Sequence, residues 1–306
     1  MSDTSVYRCI GGAAVKKNSV SIAIAFVVFG ALGAAGARAD ELTAAPALFI
    51  TSPTNWRPWT GVYVGANGGY GWINSAVAYN ANDPAAQAGT CGGGKGGGSC
   101  IPQSFYHFAG GFGGGQLGYN FQINSLWVNG IEADYQGANL SGQGFSAFRL
   151  GYSATTGANT NMTVNQSVNS FGTVRLRMGA LPINSLILYG TGGLAFGEVN
   201  TNLNSLSGRA GTLSSGGFSY TCAAAGTTCF SGSSSKTMVG WTLGGGGEFA
   251  LTNYLSLKGE VLYVDLGSYN ATVAATNAGG GKPASFTASL APVGFVVGRG
   301  GLNFRF

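Results

Sequence analysis

The chain contains a single histidine, His107, which is the side chain best suited to exchange protons near neutral pH. Ser104 lies three residues before it, and a serine paired with a histidine and an acid is a known ester-cleaving arrangement. However, no acidic residue is nearby, and in an extended strand residue 104 faces away from residues 105 and 107. We therefore expect the chain not to be an enzyme. A place in an aromatic belt with Phe105, Tyr106 and Phe108 is the simpler role for His107.

Two glycine-rich stretches resemble nucleotide-binding motifs. Residues 113–118 fit G-x-G-x-x-G, but the residues that follow have the pattern of a strand and not of a helix. Residues 89–95 fit the start of a phosphate-binding loop, yet Gly96 stands where a serine or threonine is needed. The sequence therefore predicts no cofactor.

The first 39 residues have the organisation of a secretory signal peptide. Lys16 and Lys17 precede an apolar stretch at about residues 20–35, and a small-x-small cleavage site ends at Ala39. A membrane anchor is the alternative, but the apolar stretch is short and rich in Ala and Gly. We predict a signal peptide at residues 1–39.

The composition separates this chain from ordinary soluble proteins and from nucleic-acid-binding proteins. Charged residues make up 8% of the sequence, and there are 55 glycines. Without residues 1–39, eleven basic and nine acidic side chains remain, so the net charge falls to about +2 and a nucleic-acid partner is not expected. No later run of 18 apolar residues predicts a membrane-spanning helix.

Four cysteines remain after removal of the signal peptide, in two local pairs. Cys91 lies near Cys100, and Cys222 lies near Cys229, each pair in a Gly-, Ser-, Thr- or Ala-rich segment. Two loop disulfides fit an exported protein. A zinc site built from all four cysteines is the alternative, although neither pair has the close spacing of a structural zinc motif. We therefore predict disulfides and no metal.

Alternating apolar and polar residues predict eight strands, joined by links of two very different lengths. The strands are predicted at about 60–77, 109–123, 126–139, 168–181, 186–200, 237–251, 255–268 and 291–306. Three links are tight, and four are long and polar. An even number of strands with this asymmetry predicts an all-β protein: a closed eight-stranded antiparallel transmembrane β-barrel with short periplasmic turns and four long extracellular loops. The barrel domain would span residues 59–306, after a periplasmic linker at residues 40–58.

Charged side chains occupy one face of the predicted strands, whereas the other face is apolar. A soluble sandwich would bury its apolar face as a dry core, but a barrel in lipid turns the apolar face outward and encloses the polar one. The enclosed charges would be Glu132, Asp134, Arg175, Arg177, Glu248, Lys258, Glu260 and Arg305. Because buried charge is costly unless it is paired, we predict salt bridges between neighbouring strands that fill the lumen.

Aromatic residues cluster near the predicted strand ends, as in the interfacial girdles of membrane barrels. They are Trp56, Trp59, Tyr70, Trp72, Tyr106, Trp127, Trp241, Tyr254 and Tyr263. A platform for a carbohydrate or another ligand is the alternative use of these side chains.

Several motifs together resemble the small Gram-negative outer-membrane β-barrel proteins, the porin or immunogenic outer-membrane protein family. They include Trp59-Thr60-Gly61-Val62-Tyr63-Val64-Gly65, Gly130-Ile131-Glu132-Ala133-Asp134, Phe171-Gly172-Thr173-Val174-Arg175-Leu176-Arg177, Ser256-Leu257-Lys258-Gly259-Glu260 and Gly301-Leu302-Asn303-Phe304-Arg305-Phe306. The resemblance spans about residues 56–306. Phe304 and Phe306 are similar to the C-terminal signal that the outer-membrane assembly machinery recognises.

The resemblance implies a barrel in the cell outer membrane that contributes to envelope integrity and is exposed at the cell surface. Its partners would be outer-membrane lipid and the assembly machinery, and we expect a monomer. Two other functions stay open. The barrel could be a narrow porin-like channel for small solutes, or its loops could bind haem through Tyr79, Tyr106, His107 or Tyr220.

Overall fold

The computed structural model describes residues 59–91, 100–151 and 157–306 of the 306-residue chain. The predicted signal peptide and the whole predicted linker at residues 40–58, which includes Trp56, lie outside the described residues.

Within the described residues, the chain forms thirteen strands and one helix. They are β1 (Gly61–Ala81), α1 (Pro84–Cys91), β2 (Ser104–Gln122), β3 (Trp127–Gly151), β4 (Gly157–Ile183), β5 (Leu186–Ser207), β6 (Gly211–Ser215), β7 (Phe218–Cys222), β8 (Thr228–Ala250), β9 (Leu255–Asp265), β10 (Tyr269–Ala275), β11 (Lys282–Pro283), β12 (Ser285–Leu290) and β13 (Gly294–Arg305). No helix among these residues is long and apolar enough to cross a membrane.

Eight strands close into an antiparallel ring. β1 pairs with β2 on one side and with β13 on the other, so the order β1, β2, β3, β4, β5, β8, β9, β13 returns to its start. Short links at 123–126, 184–185 and 251–254 lie at one end of the ring. In the first of them, the Asn124 side chain accepts hydrogen bonds from the Leu126 and Trp127 amides and shapes the turn. The predicted closed eight-stranded barrel is confirmed.

Most strands continue well past the ends that the sequence predicts. β3 has 25 residues and β4 has 27, about twice the predicted lengths. Register shifts in the pairing of β4 lie near these predicted ends, between Gly137 and Leu140 on β3 and between Val168 and Ser170 on β4. Much of the sequence that we predict as polar loop is therefore strand.

The extensions form a second level of the barrel, in which two other strands replace β9 and β13. β12 pairs with β1 from Val77 to Ala81, β10 pairs with β12, and β10 reaches β8 at Ser231 and Phe230. The first level, walled by β9 and β13, is called the lower segment below. The second level, walled by β10 and β12, is called the upper segment.

The outer surface changes character between the two segments. On β4, the outward side chains of the lower segment are apolar, including Val174, Leu176 and Met178, whereas Asn159 and Asn161 face outward in the upper segment. Exposed aromatic side chains border the apolar band above and below. Those exposed are Tyr70, Trp72, Trp127, Trp241 and Tyr254, and Tyr263 is partly exposed. Such a band between two aromatic girdles is the form of a barrel surface in lipid.

Two of the predicted girdle residues point inward instead. Trp59 is 2% exposed at the lower end of the barrel, and Tyr106 is 2% exposed inside the upper segment. The prediction for these two was wrong because position near a predicted strand end does not specify which face of the strand a side chain occupies.

The interior of the upper segment is apolar. Phe108, Leu140, Val164, Leu203 and Phe286 belong to one buried cluster there. The helix α1 lies against β3, β6 and β7, and Asp83 caps its first turn, because the Asp83 carboxylate accepts a hydrogen bond from the Ala86 amide. The upper segment thus has a mainly apolar core, with a few buried polar side chains such as Gln166 hydrogen-bonded inside it, and is covered by a helix and a small sheet made of β6, β7 and β11.

Candidate functional site: the ion network in the lumen

Eight charged side chains fill the interior of the lower segment. They are Glu132, Asp134, Arg175, Arg177, Glu248, Lys258, Glu260 and Arg299, and each is at most 6% exposed. Four are acidic and four are basic, so the set is neutral as a whole. Charges removed from water are tolerated when each finds a partner of opposite sign and further hydrogen bonds.

Some of the ion pairs join residues that face each other on neighbouring strands. Glu132 on β3 faces Arg175 on β4 in the strand register and forms an ion pair with it. Glu260 on β9 faces Arg299 on β13 and is paired in the same way. These contacts follow directly from the alternation of side chains, which places all four groups on the inner face.

Other contacts cross the lumen. Lys258 lies on β9, four strands away from β3 in either direction around the ring, and its Nζ lies 2.5 Å and 2.7 Å from the two carboxylate oxygens of Glu132. Arg299 on β13 reaches Asp134 on β3, with Nη2 2.8 Å from Oδ2. Arg175 reaches Glu260 with Nη1 3.1 Å from Oε2. The ion network therefore connects opposite walls of the barrel.

Tyr63 and Arg177 extend the network towards the lower end. The Arg177 guanidinium lies 2.8 Å from Glu248 and donates a hydrogen bond of 2.7 Å to the Tyr63 hydroxyl. That hydroxyl donates in turn to Glu132 over 2.6 Å. The Tyr63 ring lies where a Cβ at position 118 would stand, which explains why a glycine occupies that position in β2.

The structure differs from the sequence analysis at two arginines of β13. Arg299, which the sequence analysis missed, belongs to the network. Arg305, which it included, lies nearer the lower end, where its guanidinium lies 4.2 Å from the centre of the Trp59 ring and donates to the Thr252 carbonyl. Both arginines share the inward face with Asn303, so side-chain alternation carried the signal for Arg299 as well.

Below the network, a small apolar cluster fills the end of the barrel. Trp59 is packed with Val128, Leu181, Ile187 and Tyr189, and its indole N–H donates to the Asn184 carbonyl over 2.9 Å. The lumen contents are therefore layered, with apolar side chains at the bottom, ions in the middle and apolar side chains above.

The candidate catalytic pair does not come together. Ser104 is fully buried and hydrogen-bonded to Ser146 over 2.6 Å, whereas His107 lies on the outer surface beside Asn74. They occupy opposite faces of β2, as the strand period predicts. Within the described residues, no group of three or more His, Cys, Asp or Glu side chains could hold a metal ion.

The four residues considered for haem are also dispersed. Tyr79, Tyr106 and Tyr220 are buried, and His107 faces outward. Burial raises the pKa of Tyr79 and of Tyr106 to about 12, so loss of the phenol proton, which iron binding requires, is harder than for an exposed tyrosine. The structure thus brings none of these tyrosines to an open site with the histidine.

The remaining candidate residues lie at the two ends of the barrel. Cys91 is joined to Cys100 and Cys222 to Cys229, with Cα atoms 5.2 Å and 5.0 Å apart, and both disulfides belong to the cover of the upper segment. At the lower end, Phe304 and Phe306 face outward and are 47% and 68% exposed, with Phe304 stacked on Tyr254.

Comparisons with known proteins show to which family this chain belongs. Residues 42–291 match the model of the outer membrane protein beta-barrel domain. The 31 kDa outer-membrane immunogenic proteins of Brucella melitensis and Brucella suis are each 34% identical to this chain over 269 residues, which cover 88% of this chain and 92% of theirs. Among solved structures, the outer membrane protein OprG from Pseudomonas aeruginosa aligns with a TM-score of 0.41 at 12% identity, covering 82% of this chain and 99% of that one. The chain belongs to the outer-membrane β-barrel protein family and is located in the outer membrane.

Proposed function

We propose that this protein is a closed structural barrel, which strengthens the outer membrane and presents its upper segment at the cell surface, and that it is not an enzyme. One observation carries the proposal: the contact of Lys258 with both carboxylate oxygens of Glu132 connects opposite walls. A lumen bridged by paired charges leaves no water-filled path for solutes. The apolar core of the upper segment supports the same conclusion, because it is a second barrier in series.

Electrical recording tests the closed state directly. The leaderless chain is refolded and inserted into planar lipid bilayers, and insertion is verified by protection of the lower segment from added protease. We expect no current steps. Reproducible steps of defined size in several preparations would overturn the proposal in favour of a narrow porin-like channel.

A genetic experiment tests the structural role. Cells that lack the protein should become more sensitive to detergent and to bulky antibiotics, and the wild-type protein should restore resistance. Arg175→Ala should restore it less well, because it leaves buried carboxylates without their partner. The matched control is Arg149→Ala, which removes an arginine from the outer surface of β3. Equal rescue by both variants would contradict a role for the ion network.

The proposal includes one partner besides membrane lipid, the outer-membrane assembly machinery. Phe304 and Phe306 stand exposed at alternate positions at the end of the last strand, a form suited to recognition by the assembly machinery. Phe306→Ala should lower the amount of folded protein in the outer membrane without changing its thermal stability once folded.

We further propose that the barrel is a monomer. Light scattering of the purified protein should give the mass of one chain.

A further inference from the structure

The outer surface of the upper segment carries rows of uncharged polar side chains. Neighbouring residues in the register of β3, β4, β5 and β8 form two such rows. The first is Ser141, Ser167, Asn200 and Ser235, and the second is Gln143, Asn165, Asn202 and Ser233. The rows border a shallow depression of about 310 Å³. We refer to these eight residues as the amide wall.

A pair of phenylalanines stands beside the amide wall. Phe105 on β2 and Phe145 on β3 are each 73% exposed, more than any other large apolar side chain in the part of the chain that the structure describes. The two phenylalanines lie directly across from each other. The strand register pairs Phe108 with Gly142, and the hydrogen bond between Ser104 and Ser146 continues that register to the start of β2. Phe145 also faces Thr163 in the next strand.

These rings lie above the hydrocarbon of the membrane. Phe105 pairs with Ala76, four residues beyond the girdle residue Trp72 on β1. At about 3.3 Å per residue and a tilt of about 40°, it lies roughly 10 Å above the girdle. The row between them contains the hydrogen-bonded polar pair Asn74 and His107, which makes contact with lipid chains unfavourable at that level. The phenylalanine pair therefore cannot be explained as part of the lipid-facing band.

The chemistry of this surface matches a saccharide. Asn and Gln side chains each offer a donor and an acceptor, which suits the vicinal hydroxyl groups of a sugar, and hydroxyl side chains add further partners. Aromatic rings bury the apolar C–H faces of sugars. None of the eight residues of the amide wall is charged, and Asn200 donates a hydrogen bond to the neighbouring Glu198. A carboxylate beside the wall repels phosphate and sulfate, so the surface favours a neutral ligand over a phosphorylated or sulfated one.

The membrane below supplies such a ligand. The amide wall continues upward from the apolar band on the same strands, so whatever surrounds the barrel in the outer leaflet also surrounds the wall. That leaflet consists of lipopolysaccharide, in which acidic sugars lie next to the lipid and neutral sugars follow further out. We propose that Phe105, Phe145 and the amide wall form a binding surface for the uncharged saccharide portion of lipopolysaccharide. This inference rests on the proposed exposure of the upper segment at the cell surface, but it does not depend on whether the lumen conducts.

The test uses the refolded barrel in detergent and lipopolysaccharide saccharide freed of lipid A by mild acid. We expect saturable binding by titration calorimetry. The double variant Phe105→Ser, Phe145→Ser should weaken it about tenfold, because two stacking surfaces are lost. Gln143→Ala with Asn165→Ala should weaken it about fivefold through lost hydrogen bonds. Folding of each variant is checked by circular dichroism and by heat-dependent migration in gels.

The matched control is Asn80→Ala with Thr287→Ala, a pair of outward-facing polar residues of β1 and β12 on the opposite side of the upper segment, which should leave binding unchanged. Three outcomes would overturn the proposal. One is binding of lipid A alone with no binding of the free saccharide. The second is unchanged saccharide affinity in the phenylalanine double variant. The third is an equal loss of affinity in the control variant.

Discussion

The lower and upper segments share one ring of strands but have opposite interiors. In the lower segment, ions are enclosed and apolar side chains face outward, whereas in the upper segment apolar side chains are enclosed and Asn, Ser and Thr side chains face outward. The outward-facing side chains differ because the two segments have different surroundings: lipid accepts only apolar side chains, whereas water accepts polar ones. One barrel wall therefore combines two kinds of stabilisation, and each kind should fail in a different way.

The largest effect is expected for the centre of the ion network. Glu132→Ala should cost about 3–5 kcal/mol of unfolding free energy, because Arg175, Arg177 and Lys258 lose a buried partner. Unfolding by urea in lipid vesicles measures it. The control is Glu198→Ala, which removes an exposed acid of β5 and should change stability by less than about 0.5 kcal/mol. Similar losses in the two variants would mean that the network contributes little.

A somewhat smaller and more local effect is expected in the upper core. Phe230 is fully buried and packs against Tyr220 and Phe286. Phe230→Ala should cost about 3 kcal/mol, confined to the upper segment. Protease should then cut the upper segment while the lower segment stays intact and keeps its folded mobility in gels. Unfolding of the whole barrel in a single step would contradict the prediction that the upper segment can unfold while the lower segment stays folded.

Reduction of the disulfides should affect only the upper segment. Cys222 and Cys229 close a short loop, so their disulfide should contribute about 2 kcal/mol. Reducing agent should speed proteolysis of the upper segment in the wild type but have a smaller effect in the variant Cys222→Ser, Cys229→Ser. The urea midpoint of the lower segment should not move, and a shift there would show that the two segments are coupled.

Alkaline pH should produce the smallest difference. Burial raises the pKa of Tyr79 and Tyr106 in the folded state to about 12, above the value of 10.0 for an exposed tyrosine. Their protonated forms therefore stabilise the upper segment fully below pH 10, and this contribution is lost as the pH rises towards about 12. Ultraviolet absorbance of phenolate should show their late titration. Tyr79→Phe and Tyr106→Phe should remove it, and titration of both near pH 10 would contradict their burial.

The sequence predicts the lower segment well because its pattern there is unambiguous. Charges such as Glu132 and Arg175 alternate with large apolar residues, and few other folds accommodate that pattern. The upper extensions were missed because residues such as Asn161, Asn165 and Asn202 are typical of loops. Their inward neighbours are apolar, but the alternation has the opposite sign from the lower segment. The pattern of apolar residues facing outward therefore stops at the level where the two faces of each strand exchange character, and the predicted strands end there.

Contacts across the lumen were beyond the reach of the sequence for a different reason. Alternation specifies which side chains face inward, but not how far each one extends towards the opposite wall. The pairing of Lys258 with Glu132 depends on the ring being eight strands wide, so that the two side chains meet. Arg299 was overlooked in a glycine-rich part of β13, where few large side chains mark the alternation.

The hairpin of β10 and β12 has a practical consequence for protein engineering. Because its two strands form one side of the upper barrel, they cannot be exchanged for foreign peptides as an ordinary surface loop can. Its tip is different: Gly279 and Gly280 have positive φ angles of 55° and 101° and belong to a turn outside the barrel wall. Antigen grafts intended for display on living cells should therefore be inserted at this tip, and replacement of the flanking strands should abolish surface expression of the fusion.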